Sequence, residues 1–283
     1  MNSSPAAGRL YVVSTPIGNL GDFSFRAIDV LRDVSLILAE DTRHSRTLLD
    51  RYEIRTPVAS YHEHNEAKLT PSLIERLREG EDLALISDAG TPLLSDPGSR
   101  LVAAAIDAGI LVNPIPGASA LLSALVASGI STERFTFYGF LPRKGRERTS
   151  TLAELASLSH TAVVYEAPTR LADTLADLEG VGAGQKKIAV AREMTKQYEE
   201  VRRGTVSALR AYYHETPPRG EVVLVLAGSE QRAVDESDVR ARARILAAEG
   251  RSARDVVAQL VAELGVPRNK AYQIANEERD ADA

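Results

Sequence analysis

The chain has 283 residues and a mass of 30.5 kDa, a length that suggests about two domains. Its 34 Lys and Arg residues are outnumbered by 39 Asp and Glu residues, so the formal net charge is −5. This balance excludes coating of nucleic acid through bulk positive charge, although local basic patches are compatible with it. The absence of cysteine excludes disulfides, thiolate zinc sites and cysteine nucleophiles.

Targeting signals are absent from the sequence. There is no signal-peptide pattern and no apolar run of about 18 residues, so we expect a cytoplasmic protein. Residues 1–8 are small and polar, which is typical of a disordered tail. Trp is missing and aromatic residues make up only 5 %, which disfavours a nucleic-acid platform built from stacked aromatic rings.

The first part of the chain alternates short apolar strands with helical segments, a pattern that predicts a parallel α/β sheet. Helices are predicted near residues 25–32 and 98–108, and another is predicted to begin at Pro71 with Thr70 as its N-cap. Glycine and proline clusters follow almost every strand, and ligands of such sheets bind at the carboxyl ends of strands. The predicted strands are 9–13, 34–39, 58–61, 83–87 and 110–115.

The pattern changes after a helix of small residues at 118–129. Helices are predicted at 151–158, opened by a capping box from Thr151 to Glu154, at 171–178 and at 206–214. The pattern of strands and helices indicates a second α/β domain with more antiparallel character. The predicted strands are 135–140, 161–166, 188–192 and 221–227.

The predicted organisation is therefore an N-terminal α/β domain at 9–118, a second α/β domain at 119–230 and a helical tail at 231–283. In the tail, a capping box from Ser252 to Asp255 opens a helix that ends at Gly265, and Pro267 starts the next. Two helices joined by such a turn have the shape of a helix-turn-helix. A helical cap or oligomerisation element and a nucleic-acid contact are both open interpretations.

Three loops at predicted strand ends could carry chemistry. Residues 14–21 contain glycine but match neither a dinucleotide fingerprint nor a phosphate-binding P-loop, so a plain turn is an open alternative. Residues 87–98 carry Asp88 and Asp96 with no cation, which suits a ligand bearing positive charge or hydroxyl groups. The alternative is a rigid double turn in which both aspartates cap backbone amides. Residues 114–120 add a third loop, where small residues would let a flat ligand lie against the backbone.

Other polar segments are less specific. His62 and His64 lie two residues apart with no third ligand at a suitable spacing, so we predict a polar loop and no metal site. Residues 141–148 and 192–203 are rich in Arg and Lys. They are either solvated surfaces or loops that hold phosphates.

Several motifs occur in order along residues 9–230 and resemble one family. The chain resembles the tetrapyrrole (corrin and porphyrin) methylase superfamily, and within it the enzymes that methylate a cytidine 2′-oxygen of bacterial small-subunit rRNA. The motifs are TPIGNLGD (15–22), AEDTR (39–43), YHEHNE (61–66), SDAGTPLLSDPG (87–98), PIPGASALLSAL (114–125), FYGFLPRK (137–144), YEAPTRL (165–171), AREMTK (191–196) and RGEVVLVLAG (219–228).

The resemblance implies two α/β domains, S-adenosylmethionine in the cleft between them and a homodimer. Macrocycle methylases generally have Gly-Asp-Pro where this chain has Gly90-Thr91-Pro92. This difference favours rRNA over a macrocycle as the substrate, and we expect the rRNA to be bound within the 30S subunit. By position, the resemblance implies that the cofactor is bound by Pro16, Gly18, Asp88, Gly90, Thr91, Pro92, Ser119, Ala120 and Tyr165.

The expected reaction is in-line transfer of a methyl group to a ribose 2′-hydroxyl. The protein would align the reacting atoms, and a base or a nearby cation would help to remove the hydroxyl proton. We predict Glu193, Lys196 and Glu166 as the catalytic set; a lysine base would need a lowered pKa. Predicted RNA contacts are Arg43, Arg143, Lys144, Arg170 and Arg192, with Arg254, Arg268 and Lys270 in the tail.

Two rival functions follow from the same residues. A macrocycle methylase would use the same cofactor pocket for a porphyrinoid substrate. A ribosome-assembly factor without catalysis would retain only the fold.

Overall fold

A computed structural model describes residues 7–229 and 236–281. Residues 1–6 of the predicted N-terminal tail lie outside the described residues. The described chain forms two compact units that divide between Gly228 and Ser229. The further boundary at residue 118, inside the first unit, stays a prediction. No helix in the described ranges is long and apolar enough to cross a membrane.

The first sheet is wholly parallel, with strand order β3-β2-β4-β1-β5. Because successive side chains of a strand point to opposite faces, Leu83 and Leu85 pack on one side of the sheet while Ala84 and Ile86 pack on the other. Helices cover both faces, as predicted for a parallel sheet. The elements are β1 (Arg9–Val13), α1 (Phe25–Asp33), β2 (Leu36–Ala39), α2 (Thr42–Arg51), β3 (Val58–Ser60), α3 (Glu66–Arg78), β4 (Leu83–Ile86), α4 (Ser99–Asp107) and β5 (Leu111–Ile115).

The start of α3 corrects the prediction. The helix begins at Glu66, and Pro71 lies inside it. Thr70 is therefore not an N-cap; its hydroxyl donates to the Glu66 carbonyl at 2.7 Å and lies 3.0 Å from the Tyr61 hydroxyl. These contacts hold the turn around the proline, which itself lacks an amide donor.

Helix α2 was not predicted from the polar sequence that follows β2. Asp41 caps it by accepting a hydrogen bond from the Arg43 amide at 2.8 Å. Its buried face consists of Ser45, Leu48 and Leu49. The spacing of these three positions was the available signal for this helix.

The second sheet is mixed, with strand order β6-β7-β10-β8-β9. Strands β6 and β7 are parallel, and the other neighbours are antiparallel. The predicted fold class, a parallel-rich sheet followed by a mixed sheet, is confirmed. The elements are α5 (Ala120–Ser128), β6 (Phe135–Phe140), α6 (Gly145–Ser157), β7 (Thr161–Glu166), α7 (Leu171–Leu178), β8 (Lys187–Arg192), β9 (Glu200–Thr205), α8 (Val206–Glu215) and β10 (Val222–Leu226).

Two predictions in this sheet's region are wrong. Helix α6 begins at Gly145, so the proposed capping box is inside it, and the Thr151 hydroxyl donates to the Glu147 carbonyl at 2.9 Å. The carboxylate of Glu154 instead accepts from the Tyr138 hydroxyl at 2.7 Å. Residues 200–205 form β9, an edge strand, where the charges at 192–203 had indicated a basic loop, either a solvated surface or a phosphate contact.

The tail forms three helices, α9 (Glu236–Ala248), α10 (Ala253–Leu264) and α11 (Arg268–Ala281), around their own apolar core. Ser252 accepts from the Asp255 amide at 3.3 Å, and Gly265 ends α10 in the left-handed conformation. These two features confirm the predicted start and end of that helix. A nucleic-acid contact by this unit stays a prediction.

Replacing Arg148 with Ala should lower the free energy of unfolding by about 2 kcal/mol. The Arg148 guanidinium is buried and donates to Asp177, to the Thr174 hydroxyl and to the Pro142 carbonyl, so its loss removes four hydrogen bonds. Urea unfolding would measure the change. Arg146→Ala, an exposed position on the same helix, should stay within about 0.5 kcal/mol; equal effects of the two changes would contradict this role.

Candidate active site

The loop after β4 is held in an unusual conformation. Gly90, Leu93, Ser95 and Gly98 all have positive φ values, of 84°, 72°, 73° and 125°. Positive φ is uncommon for Leu and Ser, and such strain collects at functional sites. The amides of Thr15 and Gly90 each donate to the other residue's carbonyl, at 2.9 and 3.1 Å, and thereby join this loop to the one after β1.

The loop after β5 contacts both of these loops. The Thr91 hydroxyl accepts from Ser14 at 3.1 Å and donates to the Ala118 carbonyl at 3.3 Å. A Cβ on Gly117 would lie only 2.9 Å from the Ser14 Cβ, so this approach requires glycine. Three loops predicted to lie at one sheet edge are therefore in contact.

The second sheet supplies the facing aromatic residues. The Tyr165 hydroxyl accepts from the Leu121 amide at 3.2 Å, at the start of α5. Its ring lies edge-on to Phe137 and Phe140, with centroids 4.8 and 5.6 Å away. Burial raises the pKa of the Tyr165 phenol, so it stays neutral and fixes the helix start through its hydrogen bond.

These loops and rings surround a first cavity of about 410 Å³. Of the residues predicted to bind the cofactor, it is lined by Asp88, Gly90, Thr91, Ser119, Ala120 and Tyr165. Pro92 lines neither this cavity nor its neighbour. The lining also includes residues that were not predicted from the sequence: the apolar residues Ile17, Leu94, Phe140, Val222 and Val223 and the acidic residue Glu40.

The first cavity is acidic: its lining includes Glu40, Asp88 and Asp96, together with Glu166 and Glu221. Burial, followed by the charge of Glu40, raises the pKa of Asp96 to about 6, against a hydrogen bond from Ser87 that lowers it. Burial and the charge of Asp88 likewise raise the pKa of Glu40. Carboxylates that repel one another in this way would be stabilised by a bound cation.

A second cavity of about 360 Å³ adjoins the first. Ile17, Asp88, Ala89 and Glu221 line both, so these four residues form a shared wall. Pro16 and Gly18, which the resemblance assigned to the cofactor, line the second cavity and not the first. Lys196 lines the second cavity as well.

Lys196 is held at this wall as a cation. Its Nζ lies 3.0 Å from Glu193 Oε1 and 3.2 Å from Glu221 Oε2. Partial burial lowers the pKa of Lys196, but the hydrogen bonds and charges of the two carboxylates outweigh it, so the pKa is raised. A lysine base needs a lowered pKa, and this environment favours electrostatic stabilisation instead.

Glycines allow this arrangement. A Cβ on Gly18 would lie 2.4 Å from Lys196 Cγ, and one on Gly220 would lie 2.0 Å from Glu193 Oε1. Glu193 and Thr195 have positive φ values of 51° and 67°. Burial acts to raise the pKa of Glu193, but hydrogen bonds from the Glu221 amide and Lys196 lower it overall, which keeps the carboxylate ionised.

Glu166, the third predicted catalytic residue, is fully engaged. Its Oε2 accepts from Thr174 at 2.7 Å, and its Oε1 accepts from the Ala167 amide at 2.9 Å. The Arg170 Nε lies 3.2 Å from the same Oε1. These bonds favour a positioning role over proton transfer.

The predicted RNA-binding cations divide into two groups. Arg43 pairs with Asp41, Arg192 with Glu200, and Arg170 donates to the Leu141 and Pro142 carbonyls. Arg143 and Lys144 are exposed and have no ion pair among the described residues. In the tail, Arg254 and Arg268 are exposed, whereas Lys270 pairs with Glu236 at 3.2 Å. Only the unpaired cations are free to take a phosphate without first breaking a contact.

The histidines of residues 61–66 lie near Glu40 but form no metal cluster. The rings of His62 and His64 are 5.9 Å apart in an edge-on contact. Over residues 7–229 and 236–281, no group of three His, Asp or Glu side chains is arranged to hold a metal ion.

Comparison with known proteins identifies the family. The family model of the tetrapyrrole (corrin/porphyrin) methylases matches residues 9–210. The chain belongs to this methylase family. It is 46 % identical over 273 residues to ribosomal RNA small subunit methyltransferase I of Synechocystis sp., covering 95 % of this chain and 98 % of that protein. To the protein of the same name from Bacillus subtilis it is 42 % identical over 278 residues, covering 96 % and 95 %.

Solved structures of methylases share the fold. Uroporphyrin-III C-methyltransferase from Thermus thermophilus, complexed with S-adenosyl homocysteine, aligns with a TM-score of 0.56 and 17 % identity, covering 78 % of this chain and 97 % of that one. A diphthine synthase aligns with a TM-score of 0.59 and 14 % identity, covering 77 % and 89 %. The match of the family model to residues 9–210 confirms the resemblance to the tetrapyrrole methylase superfamily.

Replacing Asp96 with Asn in this methylase should stabilise the free protein at pH 8 by about 1–2 kcal/mol. In the folded protein the pKa of Asp96 is raised to about 6, above its value in the unfolded chain. The stability that the neutral carboxyl contributes is therefore fully present below the unfolded pKa, and it is lost as pH rises through about 6. Asn has no proton to lose. The gain, measured by urea unfolding, should therefore grow from pH 5 to pH 8.

The matched control is Asp29→Asn, at an exposed position of α1. It should show no such growth with pH. A stabilisation by Asp96→Asn that is the same at both pH values would mean that desolvation of the carboxylate is not its cause.

Proposed function

We propose that the chain transfers a methyl group from S-adenosylmethionine to the 2′-hydroxyl of a cytidine ribose in small-subunit rRNA. The observation that carries this proposal is the pair of adjoining cavities. The first cavity is acidic, and the Lys196 ammonium borders the second. The names of relatives that match this chain over most of its length support rRNA as the substrate.

The first cavity fits S-adenosylmethionine in size and charge. Its volume of about 410 Å³ lies within the range of small-molecule sites. Glu40, Asp88 and Asp96 would hold the positive sulfonium and ammonium groups. Phe140 and Tyr165 offer apolar surface for the adenine ring.

When bound, the cofactor supplies an activated methyl: the ribose oxygen bonds to its carbon while the carbon–sulfur bond breaks, and the electron pair of that bond stays on sulfur. The 2′-oxygen must lose its proton as this happens. Glu221 lines both cavities and is the carboxylate that accepts it. The Lys196 ammonium, 3.2 Å from that carboxylate, stabilises the charge that develops on the oxygen.

Glu193 and Glu166 act as positioning residues. Glu193 holds Lys196 in place through the 3.0 Å contact. Glu166 accepts from Thr174 and pairs with Arg170, which in turn holds the carbonyls of Leu141 and Pro142. This chain of contacts ends next to Arg143 and Lys144, the exposed cations that would contact rRNA phosphates.

Several finer features stay predictions. They are the homodimer, the cytoplasmic location and the use of rRNA within the 30S subunit as the substrate. The macrocycle methylase is disfavoured because relatives at 42–46 % identity carry the rRNA name, whereas the uroporphyrin methylase shares only 17 %.

Labelled S-adenosylmethionine should transfer its methyl group to 30S subunits lacking the modification, and Lys196→Met should lower kcat about 100-fold. Loss of the ammonium removes stabilisation that develops only as the oxygen becomes charged, so the Kd for S-adenosylmethionine should change little. Rapid-quench methyl transfer and calorimetry would measure the two quantities.

Lys68→Met, an exposed position of α3, is the control and should leave kcat unchanged. An unchanged kcat in Lys196→Met would remove Lys196 from the mechanism. Transfer to a porphyrinoid instead of 30S would favour the macrocycle methylase. Binding of the labelled cofactor without transfer to either would favour the assembly factor.

The double change Arg143→Ala with Lys144→Ala should raise the KM for 30S subunits about tenfold while kcat is retained. It should also flatten the dependence of log KM on log salt, because two phosphate contacts are lost. Arg26→Ala with Lys68→Ala removes two exposed cations elsewhere and is the charge-matched control. Equal salt slopes for the two doubles would show that residues 143–144 do not contact RNA.

A further inference from the structure

The second cavity contains a polar group that the fold does not use. Ser45 lies on the buried face of α2, is only 3 % exposed and lines this cavity. Its Oγ has no hydrogen-bond partner among the described residues. A buried hydroxyl without a partner carries a desolvation penalty, which a ligand that bonds to it would relieve.

The walls around Ser45 suit a flat, polar-edged group. Leu20 and Leu48 supply apolar surface, and His44 and Thr47 add further polar side chains. The volume of about 360 Å³ is in the range that holds a small molecule or a single nucleoside. None of these four residues, nor Ser45, lines the first cavity.

The shared wall sets the direction in which such a group would lie. A 2′-oxygen that receives the methyl group must approach the first cavity, beside Asp88, Glu221 and Lys196. The base attached to that ribose then extends away from the wall, among the residues that line only the second cavity. Ser45 is one of these residues.

The outer surface of α2 carries cations on either side of this position. Arg43 and Arg46 are exposed, and Arg46 has no ion pair among the described residues. Single-stranded RNA is recognised by turning a base out of its stack while side chains hold the neighbouring phosphates. Helix α2 thus combines an inward hydroxyl with outward cations.

We propose that the second cavity binds the acceptor nucleotide of the RNA, turned out of its stack, with the Ser45 hydroxyl bonded to the edge of its base. This assignment rests on the proposed function, since it places the acceptor ribose at the shared wall. It gives α2 the role of the substrate-reading element, separate from the cofactor-binding loops.

Ser45→Ala is the direct test, assayed with 30S subunits and labelled S-adenosylmethionine. The KM for the subunits should rise about tenfold, because one hydrogen bond to the substrate is lost. The Kd for S-adenosylmethionine should stay within about twofold of the unaltered protein, since Ser45 does not line the first cavity. The melting temperature should be equal or higher, because an unpartnered hydroxyl has been removed.

Ser128→Ala is the matched control at another buried serine. The Ser128 hydroxyl donates to the Leu125 carbonyl at 2.7 Å and accepts from the Ile130 amide at 3.0 Å, and it lines neither cavity. Its loss should lower the melting temperature and leave KM unchanged. Ser45→Leu, which fills the cavity, should reduce methyl transfer more than about 100-fold while cofactor binding is retained.

The outcomes separate the two proposals. An unaltered protein that binds the cofactor but never methylates 30S subunits overturns the proposed function. A protein that methylates them, with KM unchanged in Ser45→Ala or normal transfer by Ser45→Leu, overturns the nucleotide site and leaves the function standing. A fall in the melting temperature of Ser45→Ala equal to that of Ser128→Ala would also overturn it, by showing that the hydroxyl is structural.

Discussion

The paired backbone hydrogen bonds between Thr15 and Gly90 are the constraint on which the site depends. They tie the loops after β1 and β4 together at 2.9 and 3.1 Å, outside the regular sheet. Gly90 has a φ of 84°, so a β-branched or bulky residue there would be strained. With these loops joined, Ile17 and Asp88 form one wall with a cavity on each side.

The charged groups on the two sides of that wall differ in kind. The first cavity gathers carboxylates whose pKa values are raised by burial and by one another. On the other side, two carboxylates hold Lys196 in its charged form. A cationic cofactor needs carboxylates, whereas an oxygen that gains negative charge needs a cation nearby. The first cavity has the carboxylates, and Lys196 borders the second. The net charge of −5 therefore says little about the local potential.

Much of the fold could be predicted because strands β2 and β4 of the first sheet are fully buried. They are continuous apolar runs, and polar, Gly or Pro residues follow the strands where the loops begin. The errors occurred where a distant contact overrides a local rule. Pro71 reads as a helix start, but the hydroxyls of Tyr61 and Thr70 hold it inside α3. Strand β9 reads as a charged surface, and only its pairing with β8 makes it a strand.

The chemistry of the candidate site was less predictable than the loops that form it. The motifs directed attention to the loop at 87–98, but the pKa of Lys196 depends on Glu221, which is distant in sequence. Ser45 illustrates the same limit: its sequence neighbours are polar, and nothing local shows that α2 turns this one hydroxyl inward without a partner. A group that loses hydration on folding and gains no bond is destabilising, so it is expected to persist where a ligand completes it. The least satisfied atom of the second cavity is for that reason the most informative about what the cavity binds.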